Sequence, residues 1–352
     1  MSISATISAK VSKISLLCAF FVVCIHCKPE GPLGGFTWCF REFFNNGVCS
    51  IAVPFFFIIS GFFLAKHIYE DHWWKREVAK RLKTLVFPYF SWSFLYFLYA
   101  IPLIIIANSL ANTSLLRNLP TTFSDFLHVF GLDPFRYPYF IPLWFIRSLF
   151  LFVLVSPLIA WIVKKSKLVS LIFLILIFPL GTLREILQVV EGDVLWCIVG
   201  TFSLLNLFYF SLGFYFGLYP PQQNRSKSLN YLIGGLWLAL LMSKVLSSLH
   251  GLNLSFYFYY LSIPAGLYFI WHIVTEKPWN RVLTQASFSI FILHMFFLSI
   301  IGLLIRNLTP GIEKCMVSCF ISSAIAFGGS ILFSHLMHKF LPRIRCFLFG
   351  GR

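Results

Sequence analysis

Long apolar runs, separated by short groups of charge, set the pattern of this chain. A bilayer core needs about 20 apolar residues per helix. Runs that approach or exceed that length are Ile14–His26, Val48–Lys66, Thr84–Asn108, Pro142–Val163 and Leu168–Gly181. Others follow at Leu195–Leu218, Leu229–Leu249, Leu254–Val274, Ala286–Ile305 and Cys315–Met337. The first and fifth are short and are expected to extend into their flanks. The pattern predicts an all-α integral membrane protein of about ten transmembrane helices. No linker or internal repeat divides it, so residues 1–352 are expected to form one membrane domain.

Composition supports the same class. Of the 352 residues 59% are hydrophobic and only 11% charged, against about 25% charged in soluble chains. The net charge of +16 would suit a nucleic-acid binder, but the cations track topology instead. With the N-terminus inside, most Lys and Arg residues fall in cytoplasmic loops. Lys28, Arg41, Arg117, Arg136, Arg184, Arg306 and Lys314 fall outside. Both termini are therefore expected to be cytoplasmic, with the basic charge answered by anionic lipid. Lys10 and Lys13 precede the first apolar run as in a signal peptide, but no small-x-small cleavage site ends it, so a retained helix is expected. Nine cysteines lie mostly in apolar runs and do not read as a disulfide framework.

A few polar side chains interrupt the apolar spans. His26 closes the first one, and a titratable group at membrane depth is a functional candidate by default. Histidine is also the side chain suited to move a proton near neutral pH. Arg147, in PLWFIRSLF, is expected to face the bundle interior, binding an anionic group or pairing with Glu30 or Glu42. Lys75, Arg76, Lys80, Arg81 and Lys83 form the densest cationic cluster. That cluster either enforces topology or holds the phosphates of a cytosolic donor. Ser60-Gly61, within VPFFFIISGFFLAK, reads as a packing notch that lets the His26 helix or a donor's thioester arm approach. Glu42, Trp144 and His294 are candidates for lining a substrate cavity, and no metal site is expected. The loop Ser109–Ile141, with its FRYPYFIP stretch, reads either as a re-entrant or lid segment or as an interfacial aromatic belt.

Six segments in order carry a resemblance: His26 ending the first span, VPFFFIISGFF at 53–63, KRLKTLVFPYFSWSFLY at 80–96, PLWFIRSLFLFVLVSPLI at 142–159, FYFSLGFYFG at 208–217 and SFSIFILHMF at 287–296. Together the chain resembles the membrane acyltransferase-3 family over nearly its whole length. The resemblance implies transfer of an acyl group, usually acetyl from cytosolic acetyl-CoA, to a hydroxyl of a surface or lipid-linked glycan in a bacterial inner membrane. It makes His26 the first-helix histidine and Arg76, Lys80, Arg81 and Lys83 the family's basic stretch. The chain departs from the family at Ser15, where many members carry arginine. It also departs at Val53-Pro54, in place of Val-Asp, and at Arg147-Ser148, in place of Arg-Asp.

The expected mechanism follows. The basic cluster anchors CoA phosphates, the thioester arm runs along the Ser60-Gly61 helix, and His26 acts as base or as transient acyl carrier. Arg147, or a Tyr or Trp of the outer loop, donates to the developing oxyanion. The rival reading from another class is a transporter or flippase of a glycan or lipid-linked intermediate. The matched broken helices of two halves that such proteins often show are absent from the sequence.

Overall fold

Apolar runs this long leave the backbone no hydrogen-bonding partner but itself, so helix is the expected outcome. In the computed structural model, every regular element among the described residues is helical. The described residues are 5–111, 120, 122–183, 187–220, 226–277, 279–309, 311–312 and 314–351. Arg117, Arg184, Arg225, Arg352 and part of the 109–141 loop lie outside them.

The helices are α1 (Ala5–His26), α2 (Phe36–Phe40), α3 (Ala52–Ala65), α4 (Trp73–Arg81), α5 (Phe87–Ala111), α6 (Phe123–Val129), α7 (Leu143–Lys165) and α8 (Lys167–Gly181). After them come α9 (Leu204–Leu218), α10 (Lys227–Leu249), α11 (Leu254–Ile273), α12 (Arg281–Thr284), α13 (Ser287–Leu308), α14 (Met316–Phe340) and α15 (Pro342–Leu348). Among the described residues, eight helical segments are long and apolar enough to cross a membrane, which makes this a multi-pass membrane protein. Two of the ten expected spans fall outside that set. α8 has only 15 residues, and the tyrosines Tyr257, Tyr259, Tyr260 and Tyr268 make the 20-residue α11 less hydropathic.

Several spans are also less regular than the sequence pattern suggests. A π-helical turn at Arg41–Asn45 and a 3₁₀ turn at Val48–Ile51 lead into α3, within one helical run from Phe36 to Ala65. The expected helix over 195–218 breaks at Ser203, whose φ of 51° separates a π-helical turn, Cys197–Phe202, from α9. Non-glycine residues hold such a conformation only when their surroundings impose it.

The chain forms two compact units. One comprises Met1–Phe56 and Pro221–Phe340, the other Phe57–Pro220 and Leu341–Arg352. In the first, α1 packs on α13 and α14 through Leu16, Ala19, Val23, Ala286, Ile290 and Ala326. Three of these six are alanines, as expected where lipid supplies no hydrophobic drive and close approach must do the work. Ser334 Oγ donates to Ser289 Oγ across α14 and α13 at 2.9 Å. α10 and α11 close on each other at Gly234, which faces the Phe269 ring, and at Gly266, which faces Trp237.

The second unit packs by the same rule. A Cβ added to Gly61 would overlap the Phe210 carbonyl oxygen, and one on Gly213 would overlap the Ile58 carbonyl oxygen. A Cβ on Gly217 would lie 2.6 Å from that of Ala65. Ser60-Gly61 is thus a packing notch, and the helix it admits is α9. Phe57, Phe145, Phe152 and Phe210 cluster beside it, with Phe57–Phe145 ring centroids 4.7 Å apart. The C-terminal segment folds back onto α5. Trp92 Nε1 donates to Leu348 O at 2.8 Å, Phe349 is fully buried, and Gly350 (φ 64°) lies against the Thr84 backbone.

Replacing Gly61 or Gly213 by valine is expected to destabilise the protein by about 1–3 kcal/mol, the usual cost of overpacking. Thermal unfolding of purified protein reads this as a lower midpoint, whereas Gly235→Val, with open space around it, serves as the control.

Candidate active site

His26 is the last residue of α1, and the helix must end there with its carbonyls answered. Asn45, from the π-helical turn, supplies the answer: its Nδ2 donates to Cys24 O at 2.7 Å and to Cys27 O at 3.5 Å. This holds the end of α1 while leaving His26 itself exposed at the protein surface. No described residue hydrogen-bonds that ring. Its neighbour is His294 of α13, with ring centroids 5.1 Å apart and planes tilted by 41°.

His294 is in the opposite situation. It is fully buried, and its Nδ1 lies 3.0 Å from Ile290 O. A carbonyl only accepts, so Nδ1 carries the proton and Nε2 is left as a lone-pair acceptor. That Nε2 is buried with no hydrogen-bond partner among the described residues. One exposed histidine thus faces a second that is sealed and fixed in its tautomer.

A charged network adjoins the end of α1. Lys28 Nζ donates to Asn46 Oδ1 at 2.6 Å, and Asn46 Nδ2 donates to Glu42 Oε1 at 2.9 Å. Lys244, from the middle of α10, donates to Glu42 Oε2 at 3.0 Å and to Glu42 O at 2.9 Å. Arg41 Nε reaches Glu42 Oε1 at 3.3 Å. One carboxylate therefore pairs with two cations and is linked through Asn46 to a third, Lys28, leaving net positive charge two residues beyond His26. Burial pushes the Lys28 ammonium below the usual lysine range, while Glu42 pulls the other way.

Arg147 belongs to the second unit. Its Nη1 donates to Gly131 O, Asp133 O and Arg136 O at 3.1–3.3 Å, and its Nη2 to Arg136 O and Thr201 Oγ1, both at 3.2 Å. The expected pairing with Glu30 or Glu42 does not occur. Glu30 pairs with Lys314 and Glu42 with Lys244 and Arg41. Main-chain carbonyls of a loop take the place of the missing acid after Arg147. Trp144 sits nearby against Phe57 and Tyr137.

The basic cluster lies on α4 and the π-helical turn after it. Lys75, Arg76, Lys80 and Lys83 are exposed, whereas Arg81 is half-buried. Carboxylates are interleaved with these cations. Glu70 pairs with Arg76, and the buried Glu77 pairs with Lys80 at 3.4 Å and with Arg81 at 3.5 Å. Exposed pairs of this kind are worth little, so Arg76 and Lys80 can exchange partners at small cost.

Residues 16–338 match a family model described as an acyltransferase domain. The chain belongs to this acyltransferase family. It is also similar to the succinoglycan biosynthesis protein ExoH of Rhizobium meliloti (strain 1021), at 27% identity over 181 residues. That alignment covers 49% of this chain and 47% of the other, so the chain spans about half the length of the curated relative it matches. No solved structure matches the chain.

In this chain, His26, His294 and Glu42 of the predicted residues fall in the first unit, the two histidines in contact. Ser60, Gly61, Arg76, Lys80, Arg81, Lys83, Trp144 and Arg147 are in the second. Sequence reasoning missed Lys28, Asn45, Asn46 and the role of Lys244. One signal was available. A lysine in the middle of a span demands a carboxylate, and the first 66 residues contain only Glu30 and Glu42.

Lys244→Met leaves Glu42 with fewer partners at the end of α1 and is expected to cost on the order of 3 kcal/mol, as for a broken buried pair. The double variant Glu42→Gln/Lys244→Met should recover much of that loss. Chemical unfolding of the four proteins of the cycle measures the coupling.

Proposed function

We propose that the protein transfers an acyl group, acetyl in the first instance, from acyl-CoA to a hydroxyl of a cell-surface or lipid-linked glycan. The site of action would be a bacterial inner membrane, with both termini cytoplasmic. The observation that carries this reading is the exposed His26 facing the sealed His294 in a chain of the acyltransferase family. That the relative is a succinoglycan biosynthesis protein supports a glycan acceptor.

In the proposed reaction His26 removes the proton from the attacking hydroxyl, whose oxygen adds to the thioester carbon. Collapse of the tetrahedral adduct forms the ester and expels the CoA thiolate, which takes up a proton. Because a thioester is already activated, the protein needs to supply a base, positioning and positive charge near the oxyanion. The Lys28–Lys244 network supplies such charge close to α1. His294, held by Ile290, orients the pair. Arg147, with both terminal nitrogens committed to loop carbonyls and Thr201, is a positioning residue in this scheme. The exposed cations of α4 and the following turn hold the donor's phosphates.

His26→Ala is expected to lower transfer by about 10²–10⁴-fold, the usual contribution of a positioned base, while donor binding persists. Radiolabelled acyl transfer to glycan measures it, and a wild-type rate would sink the role of His26. Mass spectrometry of the quenched enzyme tests the carrier route, which predicts an acyl adduct on His26 that is absent from the variant. Arg76→Gln with Lys83→Gln should weaken CoA binding about tenfold. Unchanged binding in a CoA titration would reduce the cluster to a topology signal.

A further inference from the structure

The second unit contains a groove that the chemistry above does not use. Ser124, Asp133, Phe135, Arg136 and Glu191 line an open cavity of about 720 Å³ formed by α6, the 130–137 loop and the 190–193 turn. That volume lies within the range of about 300–1,000 Å³ usual for small-molecule sites.

Outside α6 the walls are irregular backbone, yet they are held at many points. Arg147 binds three carbonyls of the loop, and Thr201 Oγ1 donates to Pro134 O. Tyr89 Oη donates to Gly131 O at 3.1 Å, and Gly192 N donates to Phe135 O at 2.9 Å. Tyr137 N donates to Glu191 Oε1 at 2.9 Å, joining the turn to the loop. The break at Ser203 is what ends the π-helical turn carrying Thr201. A buried guanidinium and a strained backbone residue thus serve to fix one surface loop, which makes it a preorganised wall.

The groups presented are of mixed kind. Arg136 donates to Ser124 Oγ at 2.9 Å and pairs with Asp133 at 2.8 Å, and the Asp133 carboxylate also accepts from Phe135 N. Glu191 is exposed, and only its Oε1 is engaged by a described residue. The Phe135 ring is 41% exposed. A phosphate or other free anion would meet Asp133 and Glu191. A purely apolar ligand would displace water from the Arg136–Asp133 pair and from the second oxygen of Glu191 and offer nothing in its place. A sugar ring satisfies both sets: its C–H face lies on an aromatic ring, and its hydroxyls donate to carboxylates and accept from guanidinium.

We infer that this groove binds a neutral saccharide unit of the acceptor other than the one that is acylated. The inference rests on the proposed glycan acceptor. Binding energy from a remote unit then holds the reacting hydroxyl in place.

The test uses the full chain in nanodiscs with Phe135→Ala and Glu191→Gln. Glutamine keeps an oxygen for Tyr137 N, and Phe135→Leu keeps bulk without a flat face. In acyl transfer to glycan, both variants and Phe135→Leu should raise the acceptor KM about tenfold, with a smaller change in kcat. Transfer with a wild-type acceptor KM in both Phe135→Ala and Glu191→Gln would overturn the groove and leave the acyltransferase reading standing. If the wild type transfers no acyl group to glycan, the proposed function fails, and titration of neutral hexose oligosaccharides decides the groove separately. Binding by the wild type that weakens in the variants supports it, and equal affinity or none overturns it.

Discussion

Inside a bilayer no water answers a polar group, so each one must find its partner in the protein or remain costly. That constraint accounts for most of the non-helical detail in this structure. Asn45 exists in the π-helical turn to receive the carbonyls at the end of α1. Glu42 answers Lys244, which the middle of α10 would otherwise expose to hydrocarbon. Arg147 gathers carbonyls from a loop that has no helical ladder of its own. Among the described residues several buried side-chain atoms nevertheless have no hydrogen-bond partner, including Ser93 Oγ, Ser211 Oγ, Trp237 Nε1 and the Nε2 of His294, which is the one on an imidazole. Asn45 Oδ1 and Arg147 Nε also lack hydrogen-bond partners, but each belongs to a side chain bonded through its other atoms to several groups. The His294 ring is held by Ile290 of its own helix, and its centroid lies 5.1 Å from that of His26.

The same solvent decides how the helices touch. Lipid is as apolar as leucine, so burying leucine gains little, and association depends on close contact. The contacts at Gly61, Gly213 and Gly217 between α3 and α9 bring backbone against backbone. The leucines and isoleucines of α8 and α14 instead face outward, as at Ile175, Leu176, Ile321 and Leu332. Buried serines such as Ser156 and Ser330 return their hydroxyls to carbonyls of the preceding turn.

Much of this was legible in the residues. Apolar length placed the helices, and isolated titratable groups within apolar runs pointed to His26, His294 and Arg147. Partners were harder to read, because they depend on where helices meet rather than on spacing. Arg147 was expected to seek a carboxylate and found carbonyls, since a guanidinium has donors enough to hold a loop where the neighbouring acid is replaced by Ser148. The cluster on α4 looked purely cationic because Glu70 and Glu77 are diluted among five bases along the sequence, although folding puts them in contact. Ser203 gives no sign in the sequence of its left-handed backbone, which follows from the fit of Thr201 between Arg147 and the 131–137 loop.

The charge at the end of α1 connects these points to chemistry. A bare pair of imidazoles can take a proton, but acyl transfer also develops negative charge on the carbonyl oxygen of the adduct. Arg41 and Lys244 on Glu42, with Lys28 bridged to it by Asn46, leave a positive excess two residues beyond His26, in partly buried surroundings where water screens it weakly. The cations are fixed by hydrogen bonds to Asn46, Glu42 and a main-chain carbonyl, so no reorganisation is required when the charge appears. In the proposed reaction the base and the positive field therefore come from one end of one helix. Asn45 and Asn46, adjacent in the chain, tie them together, one holding the carbonyls of α1 and the other bridging Lys28 to Glu42.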